Sequence, residues 1–254
     1  MKKHFLILII IVLTAVGCGE GFIRPEGNII QQDFDVTSFH SINIAIPANV
    51  SFIQSSERLV EIETNENLFD VIRVQVQNGV LTIDSRPNIR NPKTLNIRLQ
   101  ESDLNLARLS GSGSISLLTC IDTDELVVET SGSGNIEVCG IIDELSLSIS
   151  GSGRITANDI TTTDLTVNTS GSGRANLSGA AENANLRISG SGKIEAYPLQ
   201  IMRAQANISG SGSMETSVSQ MLDVQISGSG NIRYRGNPVV TSKITGSGKL
   251  VDAN

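Results

Sequence analysis

The sequence predicts an all-β protein. Its larger part is a β-solenoid of about 20-residue coils, preceded by a β-rich entry or cap region. Three observations predict this. The motif Ser-Gly-Ser-Gly begins at Ser110, Ser131, Ser150, Ser170, Ser189, Ser209 and Ser227, and an eighth copy reads Thr245-Gly246-Ser247-Gly248. The intervals are 21, 19, 20, 19, 20, 18 and 18 residues, and a sustained period of that length marks stacked coils, where a flexible linker would have no reason to keep one. Between copies, apolar residues recur at every second position, the period of a strand with one buried face.

From Leu165 to Leu177, one alternating set is Leu165, Val167, Thr169, Gly171, Gly173, Ala175 and Leu177, and the other is Thr166, Asn168, Ser170, Ser172, Arg174 and Asn176. Two glycines per repeat exclude a helix. Strict alternation counts both glycines of each motif inward and the serines outward. The inward pairs are then Gly111 and Gly113, Gly132 and Gly134, Gly151 and Gly153, Gly171 and Gly173, Gly190 and Gly192, Gly210 and Gly212, Gly228 and Gly230, and Gly246 and Gly248. Glycine weakens an isolated strand but marks places where backbones approach closely. The motif therefore reads as a stacking site, with serine ladders able to hydrogen-bond from coil to coil. Eight coils about 4.8 Å apart predict a rod roughly 35 to 40 Å long. Segments such as "VCGIIDE" and "ANDITTTD" supply the turns and are too short to form a catalytic lid.

Residues 33–109 lack the period but are strand-like. Ile42, Ile44 and Ile46 alternate, and Asn78-Gly79 between two β-rich runs signals a hairpin. Asn65 to Ile72 reads as one short helical turn. This portion is either a separate roll or sandwich, or a set of irregular first coils that cap the solenoid's edge. The predicted organisation is 1–17 leader, 18–32 tether, 33–109 β-rich N-terminal part and 110–250 repeat.

The leader combines Lys2 and Lys3 with an unbroken apolar run, Phe5 to Leu13, too short to span a bilayer comfortably. The sequence Ala15-Val16-Gly17-Cys18 resembles the lipobox of bacterial lipoproteins, with Ala15 where Leu is commonest. That resemblance implies that Cys18 becomes the first mature residue and carries acyl chains, placing the protein, exported, in the cell envelope, with the outer membrane the expected site. The partner implied is a membrane, through the lipid. A formal charge of −7 argues against nucleic acid.

The repeat resembles the family called putative autotransporter adhesin, head GIN domain. The residues that carry the likeness are "GSGNI" at Gly132 to Ile136 and at Gly228 to Ile232, its variants "GSGSI", "GSGRI" and "GSGKI", and the entry segment with Phe39, Ile42 and "VQVQNGVLTI". The resemblance spans residues 35–250. It implies a right-handed parallel β-helix-like domain on an envelope protein. The chain departs from an autotransporter in ending at "KLVDAN" without a series of membrane strands.

Candidate sites are few. Cys120 and Cys139 stand 19 residues apart, one coil; exported location and stacking permit a disulfide, and two buried thiols are the alternative. Arg154, Arg174 and Lys193 each follow a motif and would form a basic stripe, either a contact for an acidic glycan or simply a charged, soluble edge; Asn135 and Ser213 fill the same place in neighbouring repeats. Acidic residues gather at turns (Asp122, Asp124, Glu125, Asp143, Glu144, Asp159, Asp164, Glu182). They lack the calcium-binding roll's glycine–aspartate pattern, so they read as a solvated face. Thr161, Thr162, Thr163, Thr166 and Thr169 do not recur at one fixed position, which argues against a threonine array. No cofactor or metal is expected. With no Trp, two Tyr, short loops and His40 alone beyond the leader, an enzyme is the weakest reading. The leading reading is a non-catalytic adhesin or surface scaffold with a glycan or cell-surface ligand. A periplasmic binding or sensory module for an envelope component is the alternative, and a polysaccharide-acting enzyme comes last.

Overall fold

The computed structural model describes residues 21–254. It is a β-solenoid of about seven coils spaced about 20 residues apart. The eight motifs therefore delimit about seven coils, one fewer than a coil per motif. Asn135–Gly151, Arg154–Gly171, Arg174–Gly190, Lys193–Gly210 and Ser213–Gly228 each run the length of a coil and pair in parallel with the next.

Each coil has three sides, and the corners are visible where alternation breaks. In the coil from Arg154, buried Ala157 is followed by exposed Asn158 and Asp159, and buried Thr162 by exposed Thr163 and Asp164. The pairing shifts register at the first of these corners. The third corner is the Ser-Gly-Ser-Gly motif. There Ser150, Gly151 and Ser152 are all exposed and only Gly153 turns inward.

This corrects the inward placement of both glycines. Period two holds along a straight strand, whereas the motif is a bend. The first glycine of every motif has φ between +106° and +122°, a region that side-chain-bearing residues avoid. The second is glycine for lack of room: a Cβ on Gly212 would lie 2.5 Å from Cγ2 of Ile188 in the coil below. The serine ladders also bond differently from the expectation. Ser152 N donates to Gly132 O at 2.8 Å and Arg154 N to Gly134 O at 2.9 Å, and the pattern repeats along the rod. These coil-to-coil bonds are backbone bonds. Among the described residues, none joins one motif hydroxyl to the next.

The parallel stack continues below the first motif. Ser41–Ile44 lies under Leu106–Leu109 and over Val80–Ile83, while Asn49–Phe52 lies under Ser114–Leu117 and over Asn96–Leu99. Beyond these, pairing turns antiparallel. Ile72–Gln77 closes one side as a hairpin around Asn78-Gly79, and Leu59–Asn65 with Ile29–Asp33 closes another. Residues 33–109 thus form first coils and an antiparallel cap on one shared core. The segment expected as a tether, residues 18–32, is folded from Phe22 onward. Phe22–Ile23 pairs with Asn88–Ile89, and Ile29–Asp33 joins the cap, because that segment's backbone finds strand partners there. A short 3-10 turn, Glu66–Leu68, interrupts the cap.

The core is aliphatic along the repeat and gains Phe39 and Phe52 only near the cap. Each fully buried Ile or Leu contributes about 1.5–3 kcal/mol relative to exposure. The far end differs. Val239–Gly246 and Lys249–Asp252 form the last coil, whose strands are largely exposed.

Candidate functional site

Strict register turns each position of the repeat into a row along the rod. On the longest side, Ser170, Ser189, Ser209, Ser227 and Thr245 stack, and two residues before them Asn168, Arg187, Asn207, Gln225 and Lys243 stack in a second outward row. Together they line a shallow depression of about 450 Å³. Hydroxyls, amides and two cations face it. Nearer the cap the same row holds Arg108 and Glu129, joined by a 2.6 Å ion pair. Ile188, Ile208 and Ile226 also line it and most of its lining is carbon, so the depression is an apolar surface edged by hydroxyls, amides and two cations, suited to a polymer with both apolar faces and polar edges. Reading the sequence for residues after each motif missed this row. Counting two places back from each motif's first residue would have found it.

The structure does bring the basic stripe together. Asn135, Arg154, Arg174, Lys193 and Ser213 are consecutive partners in one row. Its charge is partly answered. Glu195 accepts from Lys193 and lies 3.7 Å from Arg174. The Lys193 hydrogen bond holds its carboxyl below the usual carboxylate range against a smaller effect of burial, and the nearby charges of Lys193, Arg174 and Arg154 pull the same way.

The two cysteines stack. Ile121 pairs with Gly140, which sets Cys120 beside Cys139, and their sulfurs are bonded with Cα atoms 4.6 Å apart. Cys18 lies outside the described residues, as does the leader. The acidic turn residues do not converge. Glu125, Glu144 and Asp164 form a row, one per coil, and among the described residues no three His, Cys, Asp or Glu side chains gather to hold a metal. Thr162 is buried and bonds to the Asp143 and Asp164 carbonyls, whereas Thr161 and Thr163 point out at a corner.

His40 Nδ1 lies 3.1 Å from Ser41 Oγ and 3.2 Å from Asn105 Oδ1, but Ser41 Oγ donates to Asn105 at 2.7 Å. The hydroxyl proton is thus committed to an amide oxygen, and Ser41 is buried, which suits a structural tie between coils. A second anchor escaped the sequence reading. Buried Glu101 accepts from Arg58 at 2.8 Å, from Ser102 N at 3.1 Å and from Phe39 N at 3.3 Å. Burial pushes its carboxyl up, but the Arg58 bond and the two backbone donors together outweigh it and hold the group below its ordinary range.

The model of the family described as "Putative auto-transporter adhesin, head GIN domain" matches residues 38–157 and 141–238. Among solved structures, a putative adhesin from Parabacteroides merdae ATCC 43184 is 25% identical, with 92% of this chain and 99% of that one covered and a TM-score of 0.88. A "putative lipid binding protein" from Parabacteroides distasonis ATCC 8503 is 28% identical, with 92% and 100% covered and a TM-score of 0.88. A putative adhesin from the same organism shares the fold at 22% identity, with 91% and 99% covered and a TM-score of 0.86. No curated protein matches the chain.

Proposed function

We propose, on the premise that the chain belongs to the head GIN domain family of putative auto-transporter adhesins, that it is a non-catalytic, lipid-anchored rod of the cell envelope. In this reading it presents its long side to a glycan or other extended polymer. The observation that carries it is the paired ladder from Asn168 to Lys243 and from Ser170 to Thr245, which places a hydroxyl beside an amide or a cation at each coil step over a shallow depression. A repeating surface suits a repeating ligand, and Arg187 and Lys243 would favour an acidic one. Cys18 is the residue that would bear the lipid, and the outer membrane the membrane that holds it.

Protease shaving of intact cells, with lysed cells as control, tests the location. Cleavage on intact cells supports an outward-facing rod. Glycan-array binding by the parent and by an Arg187→Ala, Lys243→Ala double variant then tests the face. Survival on intact cells with cleavage after lysis would sink the surface reading. It would favour the second one, a periplasmic module for an envelope component, to which the likeness to a chain described as lipid binding lends weight.

A further inference from the structure

We propose that the capped end of the rod is a docking surface for an anionic bilayer, so that the rod stands on the membrane and its last coil points away. This rests on the reading of Cys18 as the lipid-bearing residue, and it adds a second, electrostatic contact beside the lipid.

The exit of the chain is fastened to the cap. Arg90 N donates to Ile23 O at 3.0 Å, Asn67 Nδ2 to Arg24 O at 2.8 Å, and Asn65 Nδ2 to Gly27 O at 3.0 Å. Four residue steps separate Cys18 from Phe22, a reach of roughly 14 Å even when fully extended. Headgroups occupy about 5–7 Å of each leaflet, and the Debye length at physiological salt is about 8 Å. With a lipid on Cys18, this end would be held within the field of the membrane surface.

The chemistry presented there carries an excess of cations. A recess of about 640 Å³ is lined by Arg24, Arg90 and Lys93 with Asn65, Asn91 and Glu26, and the exposed Glu66 carboxylate lies at its edge against Gly27, so three cations face two carboxylates. All three cations are exposed, and among the described residues none is in an ion pair. Phe22, 62% exposed, lies beside them with the Arg90 guanidinium 5.4 Å from its ring centre, an apolar and cationic pair suited to the headgroup boundary. In a chain of net charge −7, a recess with a surplus of cations at the end nearest the anchor is complementary to phosphatidylglycerol-type headgroups. Standing on this end would turn the long side parallel to the membrane normal and free of the lipid.

The test uses residues 19–254 without acyl chains, which retain the whole described core, in flotation with phosphatidylcholine vesicles and with vesicles that also contain phosphatidylglycerol. The protein is expected to float only with the latter and to be released by salt. Arg24→Gln, Arg90→Gln and Lys93→Gln should each lower partitioning about fivefold, and Arg154→Gln with Arg174→Gln and Lys193→Gln should leave it unchanged. Absence of flotation, equal flotation on both vesicles, or loss only in the stripe variant overturns the proposal. The mass of the mature chain extracted from membranes reports acylation separately. An unmodified Cys18 beside retained flotation refutes the anchor and leaves the docking surface standing; an acylated Cys18 beside absent flotation refutes the docking surface alone.

Discussion

The carbonyl oxygen of Gly132 lies where a methyl group on Gly151 would have to be: a Cβ built there falls 2.7 Å from it. Gly151 also has φ +114°, so two separate penalties meet at one atom. Gly111 isolates one of them. Its φ is +109°, yet nothing lies within 4 Å of its missing Cβ. Gly111→Ala should therefore cost only backbone strain, about 1–3 kcal/mol. Gly151→Ala should cost more, because the opposing atom is backbone and cannot swing aside. Chemical denaturation of the two variants checks the order, and equal losses would contradict the corner geometry.

The Cys120–Cys139 bond links adjacent coils across 19 residues of sequence. Closing a loop of that size removes enough freedom from the unfolded chain to stabilise by about 3 kcal/mol. Cys120→Ser with Cys139→Ser, or reduction of the parent, should lower the thermal midpoint by a matching amount. A midpoint that ignores reductant would show the bond absent or without effect on stability.

Glu101 makes the cap sensitive to acid. Its folded pKa lies below the ordinary value of 4.5, so its contribution is fully present above about pH 4.5 and is lost as pH falls through the lower folded value. Glu101→Gln should flatten the stability profile in that acidic window. At neutral pH it should cost about 1–3 kcal/mol, because a neutral amide meets the Arg58, Phe39 and Ser102 donors poorly. A profile unchanged below pH 4.5 would count against this role.

Glu125, Glu144 and Asp164 put like charges on neighbouring coils. Glu144→Lys replaces two repulsions with two attractions and should stabilise by roughly 0.2–1 kcal/mol per contact. The gain should shrink as salt is added. Destabilisation, or a gain independent of salt, would show that the row is not governed by charge.

Sequence alone determined the repeat architecture. The spacing of Ser-Gly-Ser-Gly from Ser110 to Gly248 sets the coil length, and the alternation around Leu165, Val167 and Thr169 names the buried side. Both are local properties of a strand, and local patterns survive in one dimension. The placement of Cys120 over Cys139 and of Arg154, Arg174 and Lys193 in one row follows from the same period. What only the tertiary structure decided is non-local or breaks the period. The first glycine of each motif is a corner residue, which counting by twos cannot reveal. Ser41–Ile44 stacks beneath Leu106–Leu109 although Leu59–Asn65 and the Ile72–Ser85 hairpin of the cap lie between them in sequence, and no motif announces a pairing across so many residues. The Glu101 anchor, the recess of Arg24, Arg90 and Lys93, and the depression over Arg187 and Lys243 each assemble from separate coils or from both ends of the cap. Their chemistry exists only once parallel stacking brings distant residues to one place.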